Sequence, residues 1–331
     1  MKRYLYPSLV AGILTSMALA QNPNLGTAGA QFLKLPVGAR AIGMGGAAVG
    51  ITGDASSMFW NPAGIAAVNR PAAHFSHMNM FKYFDFSAAS LAFHAPKLGH
   101  IAVGVLVFSM QEMETTTEFE PLGTGHYFDA QDIALGVTYA RSLTDRFHAG
   151  ISGKYIYQRI WNETAQGVAF DLGTQYRIDF MNLTLAMSMF NFGPEMRLAG
   201  PELNVTYDSS PEYPNRLVPA QKQTETYPLP LTFKFGLALD IINTPLLKMR
   251  GGLDAVHPLD NDERIQVGTE ISFADRFFIR GGYKFNHDSE RGNAGIGIHT
   301  SVSGLILSLD YAYSVNDLLP DVQQLSVGFR F

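Results

Sequence analysis

The chain has no cysteine, few charged residues and no long apolar run, and each absence excludes a class of protein. Without cysteine there are no disulfides, no lipid-modified cysteine and no thiol chemistry. Charged residues make up only 16% of the chain and hydrophobic residues 47%, whereas soluble domains usually carry about 25% charged residues. No run approaches the roughly 18 apolar residues of a membrane helix. The composition leaves a transmembrane barrel or an unusually apolar soluble β protein.

The N-terminus has the pattern of a secretory signal peptide. Lys2 and Arg3 precede a mostly apolar stretch over residues 5–19, and Ala18-Leu19-Ala20 matches the small-x-small cleavage pattern. We predict that residues 1–20 are a signal peptide rather than an anchor helix, because the apolar core is short. Cleavage there removes two positive charges and takes the net charge from −5 to −7, which argues against nucleic-acid binding.

From Pro71 onward, apolar and polar side chains alternate in segments of about ten residues, the pattern of outer-membrane strands. In the segment 276–286, Phe277 and Ile279 share an apolar face opposite Arg280 and Lys284. The apolar face fits lipid, and the sparse polar face fits a lumen that also holds a plug. We count about fourteen segments, an even number as in bacterial barrels. They are 72–80, 85–95, 99–112, 128–141, 146–158, 166–178, 183–193, 229–241, 246–257, 263–273, 276–286, 292–301, 304–314 and 321–331.

The connections between these segments alternate between short and mostly longer. Residues 142–145, 179–182 and 243–245 make tight connections, whereas 113–127 and 194–228 make long ones. Short periplasmic turns and longer external loops are the rule for outer-membrane barrels. We therefore predict an all-β fold, a transmembrane antiparallel barrel over residues 71–331. The proline-rich loop 194–228 is interpreted either as a lid or binding arm, or as a tolerated surface excursion.

Residues 39–65 are crowded with glycine and other small residues and indicate neither a strand nor a good helix. Such a segment at the head of an all-β chain fits inside the barrel, so we predict that residues 21–70 form a glycine-rich hatch. Arg40 and Asp54 should pair with each other or with lumen charges, because an unpaired buried charge is costly. The candidate hatch residues are Arg40, Gly43, Gly45, Gly46, Asp54, Trp60, Asn61 and Pro62.

Three further sets of residues are candidates. Charges on the lumen face should pair with one another; they are Lys154, Asp171, Lys234, Arg250, Asp254, Glu270, Arg280, Lys284 and Asp310. Aromatic residues and arginine in external loops suit protein recognition; they are Tyr127, Phe128, Tyr213, Arg216 and Tyr227. The last strand places Phe329 and the terminal Phe331 on one face, which is typical of proteins inserted into the outer membrane by the barrel assembly machinery.

Nothing in the sequence indicates catalysis, a cofactor or a metal site. Residues 43–48 fit a G-x-G-x-x-A pattern but lack the preceding strand that a dinucleotide site requires. The nine histidines are dispersed, and His74 and His77 fall on opposite faces of one strand. His287-Asp288 is interpreted as surface-loop polarity. We therefore expect no enzyme activity, no cofactor and no metal.

Four elements in fixed order carry a family resemblance: residues 31–40, Met44-Gly-Gly-Ala47, Asp54 and residues 59–64 (Phe-Trp-Asn-Pro-Ala-Gly). Their residue types and spacing resemble those of the PorV/PorQ branch of the FadL-like outer-membrane proteins. The barrel resembles that branch only in its strand pattern and length. The resemblance implies a fourteen-stranded barrel with an N-terminal hatch in its lumen, located in the outer membrane among outer-membrane lipids.

The resemblance also implies function. PorV belongs to type IX secretion and binds the C-terminal domains of exported proteins, so our first hypothesis is that the external loops engage secreted cargo or other secretion proteins. The alternative is transport of hydrophobic small molecules, as in FadL, and a porin-like role is a third possibility that a plug argues against. A transporter should have a continuous apolar pocket through the hatch and a strand kink that opens sideways. A cargo-binding protein should have ordered external loops and a closed lumen.

Overall fold

In a computed structural model that describes residues 24–51, 53–208 and 217–331, fourteen antiparallel strands form a closed barrel. The predicted signal peptide lies outside the described residues. No helix in the described ranges is long and apolar enough to cross a bilayer.

Strands are numbered along the chain. Those of the wall are β1 (Ala72–Met80), β2 (Phe84–Ala95), β3 (Gly99–Met110), β6 (Ala130–Ser142), β7 (Phe147–Ile160), β8 (Glu163–Ile178), β9 (Leu183–Phe192), β14 (Thr232–Asn243), β15 (Leu247–Pro258), β16 (Arg264–Phe273), β17 (Phe277–Phe285), β18 (Glu290–Val302), β19 (Leu305–Asn316) and β20 (Val322–Arg330). Those of the loops are β4 (Met113–Glu114), β5 (Tyr127–Phe128), β10 (Met196–Arg197), β11 (Asn204–Asp208), β12 (Leu217–Gln221) and β13 (Thr226–Tyr227).

Each wall strand presents an apolar face outward and a smaller, more polar face inward. On β17, Phe277 and Ile279 are 56% and 65% exposed, whereas Arg280 and Lys284 are 3% and 5% exposed. An exposed apolar band belongs in lipid, and the buried polar face belongs to a filled lumen. The predicted transmembrane barrel of fourteen strands is confirmed, with strand ends within about three residues of those expected.

All connections at one end of the barrel are short, whereas the long connections lie at the other end together with the short turns 81–83 and 161–162. The turns at 96–98, 143–146 and 274–276 share one end with the start of β1 and the last residue, where the Phe331 N–H donates to the Pro71 carbonyl at 2.9 Å. Short turns face the periplasm in outer-membrane barrels, so this is the periplasmic end and the other is the external end. Only at the external end are there loop strands within the described residues: three small hairpins, pairing β4 with β5, β10 with β13 and β11 with β12.

Residues 24–51 and 53–71, which we call the hatch, run through the lumen from the external mouth to the periplasmic end. At the mouth the Gly26 N–H donates to the Asp260 carbonyl at 3.1 Å. The described part of the hatch contains no strand, only four short helices. They are the 3-10 helices Gln31–Lys34, Ala55–Phe59 and Pro62–Ala67 and the α-helix Ala39–Gly43. Helix Ala39–Gly43 packs against β17 to β20, and helix Pro62–Ala67 packs against the opposite wall at β6 to β8.

The hatch stays irregular because its sequence ends each helix after about one turn. Gly45 and Gly46 follow helix Ala39–Gly43 with φ of 67° and 83°, a conformation that stops a helix and favours glycine. Asp54 and Asn61 begin the last two 3-10 helices, and each accepts the N–H two residues further on, at 2.9 and 3.0 Å. These caps satisfy backbone groups that would otherwise be buried without a partner.

Rows of lumen-facing glycines let the hatch backbone lie directly on the barrel wall. Gly252, Gly268 and Gly282 are register partners on β15, β16 and β17. A Cβ on Gly268 would lie 2.1 Å from the Met44 oxygen, and one on Gly282 would lie 2.1 Å from the Gly45 nitrogen. These glycines form a slot for hatch residues 44–47, because a side chain at either position would collide with hatch backbone.

A second glycine slot holds the end of the hatch against the opposite wall. Gly150 and Gly173 are register partners on β7 and β8. A Cβ on Gly173 would lie 2.1 Å from Asn61 Oδ1, and one on Gly150 would lie 2.5 Å from the Pro62 carbonyl carbon. The Asn61 amide also donates to the Thr174 carbonyl at 3.1 Å. Two facing walls therefore fix the position of the hatch.

The glycine slot predicts a matched pair of substitutions on β17. Gly282→Ala should displace residues 44–47 and lower stability by about 1–3 kcal/mol, as overpacking does. Gly281→Ala, on the adjacent outward position with nothing within 4 Å of its Cβ, should have no such effect. Limited proteolysis of the hatch in detergent, together with guanidinium unfolding, measures both. Equal sensitivity of the two variants would contradict the slot.

Candidate functional site

Charged side chains join the hatch to the wall at mid-lumen. Arg40 binds Glu270 through two hydrogen bonds, Nε to Oε2 at 2.9 Å and Nη2 to Oε1 at 2.7 Å. Arg280 donates to Glu270 and to Asp310, both at 2.7 Å. Arg40 also reaches Asp54 at 3.3 Å. One buried carboxylate, Glu270, thus links the hatch helix to the neighbouring strands, and both partners allowed for Arg40 by the sequence are used.

Asp54 belongs to the same network from the hatch side. Burial opposes its charge, yet Arg40, His74 and the Ser56 hydroxyl together hold the pKa of the Asp54 carboxyl below its usual range. The carboxylate therefore stays ionised at neutral pH and balances part of the charge of Arg40. Its second role is the helix cap described above, so one side chain serves both local structure and the lumen charge balance.

A second carboxylate on the wall holds the next part of the hatch. Asp254 on β15 is 1% exposed, and its Oδ2 accepts the N–H groups of Ala48 and Val49 at 2.8 and 2.9 Å. Its Oδ1 has no hydrogen-bond partner among the described residues. Backbone donors rather than a cation bind this acid, so its position fixes the path of the hatch after the glycine turn.

Of the remaining predicted lumen charges, all but Lys234 form ion pairs within the wall. Each pair joins strands or a strand and a loop and leaves little net charge on its stretch of wall. The pairs are Lys154 with Asp171 at 2.8 Å, Lys284 with Glu290 at 2.6 Å and Arg250 with Asp240 at 2.8 Å.

At the external mouth, Asp260 fastens the N-terminal part of the hatch to the loop between β15 and β16. Asp260 is 4% exposed, and it accepts hydrogen bonds from the Gln31 amide at 2.6 Å and from Lys34 Nζ at 2.9 and 3.0 Å. Burial opposes its charge, but the Gln31 and Lys34 contacts hold the pKa of Asp260 below its usual range. The anchor is therefore fully formed at neutral pH.

The base of the long loop 193–231 folds into the mouth rather than away from it. Met196 is 1% exposed and packs in an apolar cluster with Phe32 and Leu229. The ring of Tyr227 packs on Gly29, where an added Cβ would lie 2.1 Å from the ring. The Tyr227 hydroxyl donates to the Gln158 side chain at 3.0 Å. Strand β9 ends at Phe192, and β14 begins at Thr232, three residues after the expected start at 229, because Leu229 packs in this cluster.

A cavity of about 390 Å³ lies between the hatch and the wall formed by β14 to β20 and β1; we call it the hatch cavity. Its size is that of a small-molecule site. Its apolar lining includes Leu35, Phe59, Trp60, Met78 and Phe190, and its basic lining includes Lys234, Arg264 and Lys284. The external rim of the cavity carries His287 and Asp288, and its floor is the hatch at Ile42 and Gly46.

Two cations of the hatch cavity lack an ion-pair partner within the described residues. Lys234 Nζ lies over the rings of Trp60 and Phe190, at 4.8 and 5.1 Å from their centroids. The Nε of Arg264 is buried without a hydrogen-bond partner. Burial, with the positive charges of Lys284 and Arg264, lowers the pKa of His287 to about 4, so His287 is neutral at pH 7. The cavity thus combines aromatic walls with two cations that have no ion-pair partner within 4 Å among the described residues, and Asp288 and Glu290 also line it.

The external-loop candidates have three different outcomes. Tyr127 and Phe128 form β5 of a loop hairpin, with Tyr127 57% exposed. Tyr213 and Arg216 lie outside the described residues. Tyr227 lies in the external loop, in β13, and its ring packs inward on Gly29 of the hatch.

Other predicted residues lie where their sequence positions indicated. Trp60 donates its indole N–H to the Val37 carbonyl at 2.8 Å within the hatch, and a Cβ on Gly43 would lie 3.0 Å from the Gly295 Cα. Phe329 and Phe331 are 37% and 60% exposed at the outward, periplasmic end of the wall.

Sequence reasoning missed Asp240 and Asp260 as site residues. Asp240 lies on the lumen face of β14, as Lys234 does, so strand alternation could have found it. Asp260 lies in a loop, and no local pattern marks it. The structure also brings His94 and His100 together, with ring nitrogens 3.2 Å apart, although the described residues contain no group of three or more ligands that could hold a metal ion.

Removing the shared carboxylate should loosen the hatch from the wall. Glu270→Gln leaves Arg40 and Arg280 without their buried counter-ion, and we expect a loss of about 3–5 kcal/mol in the free energy of unfolding. The matched control, Asp275→Asn, breaks a largely exposed pair with Lys248 and should lose no more than about 1 kcal/mol. Guanidinium unfolding in detergent compares the two variants, and equal losses would refute the linking role of Glu270.

The Asp260 anchor should release at low pH. Because the folded-state pKa of Asp260 is lowered, its stabilisation is complete above the ordinary carboxyl value of about 3.9 and is lost below it. The cysteine-free chain permits a single spin label at Leu25→Cys, whose mobility should rise on acidification. Asp260→Asn should make the label mobile at every pH, and Asp262→Asn in the same loop should leave the transition unchanged. A transition that survives Asp260→Asn would exclude Asp260 as its cause.

No protein-family model matches the chain, and no curated protein matches its sequence. Solved structures do match over nearly the whole barrel. The Pseudomonas putida toluene transporter TodX has a TM-score of 0.55 at 11% identity, covering 88% of this chain and 96% of its own. A Pseudomonas aeruginosa FadL homologue has a TM-score of 0.53 at 11% identity, covering 90% and 98%.

The Ralstonia pickettii toluene transporter TbuX has a TM-score of 0.51 at 10% identity, covering 89% and 98% of the two chains. These likenesses rest on shape, because identities near 10% carry no information on ligands. They agree with the closed fourteen-stranded topology and the filled lumen described above. The chain therefore has the fold of the FadL-like outer-membrane barrels.

Proposed function

We propose that this protein is an outer-membrane channel for hydrophobic small molecules, the function that ranked second in the sequence analysis. The hatch cavity carries this proposal, because it offers a partly enclosed volume with aromatic walls and basic side chains on the external side of a plugged lumen. The fold supports it as well, since barrels of this shape include a toluene transporter and a monoaromatic hydrocarbon channel. Exposed apolar residues around the wall fit an outer-membrane location.

The cavity lining favours molecules that have an apolar body and one anionic group. Phe59, Trp60 and Phe190 give the apolar body aromatic contacts, and Lys234 and Arg264 lie within the same lining. A buried cation without a counter-ion is unfavourable, and an anionic group on the ligand would compensate it. Neutral hydrocarbons would gain only the apolar contacts.

Other structural features expected of a transporter are present in part. The cavity ends on the hatch instead of running through it, so passage requires the hatch to move within its slots. The β8–β9 pairing shifts register between Phe170 and Leu172, which is an irregularity in the wall. Beside it, a mainly apolar depression of about 540 Å³ on the outer surface is lined by Gly153, Tyr155 and Phe170.

Binding of secreted proteins in the PorV manner remains a second candidate. It is supported by the sequence motifs of the hatch and by the external loop 111–129, where Phe119 and Leu122 are 92% and 98% exposed. Large exposed apolar side chains above the membrane suit contact with a partner protein. Affinity purification of the detergent-solubilised protein would favour this candidate if secreted proteins sharing a C-terminal β domain co-purified.

A fluorescence titration tests the channel proposal. The chain has two tryptophans, so Trp161→Phe leaves Trp60 as a reporter inside the cavity. Dodecanoate and 1-dodecanol share an apolar chain and differ in charge. We expect both to change Trp60 emission, and we expect Lys234→Met to weaken dodecanoate binding about tenfold, equivalent to 1.4 kcal/mol, while leaving dodecanol unchanged.

Lys222→Met is the matched control, because Lys222 is exposed in the external loop and does not line the cavity. Proteoliposome uptake of the two ligands provides the transport readout. If neither ligand alters Trp60 emission nor enters the proteoliposomes faster than protein-free vesicles, the channel proposal is wrong.

A further inference from the structure

The two ends of the barrel differ in charge. The external loop 111–129 has five acidic residues and no lysine or arginine. At the periplasmic end three acids are already paired, Asp179 with Arg146, Asp240 with Arg250 and Asp275 with Lys248, and Asp145 is a further exposed acid there. Further cations at that end have no carboxylate within 4 Å in the described ranges; they are Arg70, Lys97, Arg141, Arg177 and Arg276. A protein of negative net charge therefore presents a basic periplasmic rim.

A polar cavity of about 230 Å³ lies at this rim, between the hatch at Gly50 and the ends of β8, β9, β14 and β15. Arg177, Arg250 and Asp240 line it. Both oxygens of Asp240 are occupied, by Arg250 Nε at 2.8 Å and by the Asn182 amide at 3.0 Å. The terminal amino groups of Arg250 and the whole guanidinium of Arg177 remain as unused donors within the described residues.

Both arginines face the lumen mouth and not the lipid. Arg177 shares its face of β8 with Gly173 and Gln175, which contact the hatch. Arg250 shares its face of β15 with Asp254, which binds hatch backbone. An anion reaches these groups from periplasmic water through the mouth, whereas a phospholipid headgroup in the inner leaflet lies on the other side of the wall.

We propose that the periplasmic mouth is an anion-binding site that receives a carboxylate from an acidic segment of a periplasmic protein. Guanidinium groups bind carboxylates through paired, charge-assisted hydrogen bonds, and the cavity presents two such groups beside the hatch. The unpaired cations around the rim extend the positive surface well beyond this cavity. A segment with several acidic side chains matches that spread, and a single small anion does not.

A peptide-binding experiment on the full barrel tests this site. Fluorescein-labelled decaglutamate is titrated into the protein in nanodiscs of zwitterionic lipid, with decalysine as the charge control. We expect saturable decaglutamate binding that weakens with salt and falls about tenfold in Arg177→Gln, a loss of about 1.4 kcal/mol. Arg291→Gln, an exposed arginine at the external rim, should bind as the parent does.

Several outcomes would overturn the proposal. These are equal binding of decaglutamate and decalysine, unchanged affinity in Arg177→Gln, and full competition by one equivalent of citrate, which identifies a small-anion site. Loss of peptide binding in nanodiscs that contain anionic lipid, with recovery in Arg141→Gln but not in Arg177→Gln, assigns the rim to lipid headgroups instead. A β-rich circular dichroism spectrum and heat-modifiable gel mobility for each variant confirm that the barrel is folded.

Discussion

Close contact between the hatch backbone and lumen-facing glycines is the constraint on which the rest of this structure depends. Gly268 and Gly282 on one wall and Gly150 and Gly173 on the other leave no room for a side chain. Because these contacts place hatch backbone against strand backbone, they bring Arg40 within reach of Glu270 and the hatch amides within reach of Asp254. A larger residue at a slot would separate all of these groups. The ion pairs and hydrogen bonds of the hatch therefore depend on the glycine packing.

The same constraint divides the lumen into two parts with different chemistry. Below the slots the hatch fills the barrel and reaches the periplasmic rim at Gly50 and Pro71. Above them, only the N-terminal part of the hatch and the base of loop 193–231 enter the mouth, and the hatch cavity remains beside them. Lys234 has no ion-pair partner within 4 Å there among the described residues, and the hatch places the Trp60 ring against its ammonium group. Passage of any molecule through the lumen would require breaking contacts between the hatch and the wall.

Much of the fold could be predicted because strand alternation and turn length are local properties. The outward apolar face of β17 and the alternation of short and long connections both follow from residues close together in the chain. The candidate site was predictable only as a set of residue types. The sequence predicted that Arg40 pairs with a buried acid, but it did not distinguish Asp54 from several wall carboxylates as the partner. The choice depends on which strand the hatch helix contacts. The inward packing of Tyr227 could not be predicted for the same reason.

The sequence by itself determined the class of fold, the segment that fills the lumen and the outward side of each strand, because a period of two and a glycine-rich run need no tertiary information. Only the tertiary structure decided which groups meet. It paired Arg40 with Glu270 across 230 positions, fastened Lys34 to Asp260 and placed Arg177 beside Arg250 and Gly50. Barrel closure sets these contacts, since the register of each strand pair fixes which side chains share a level of the lumen.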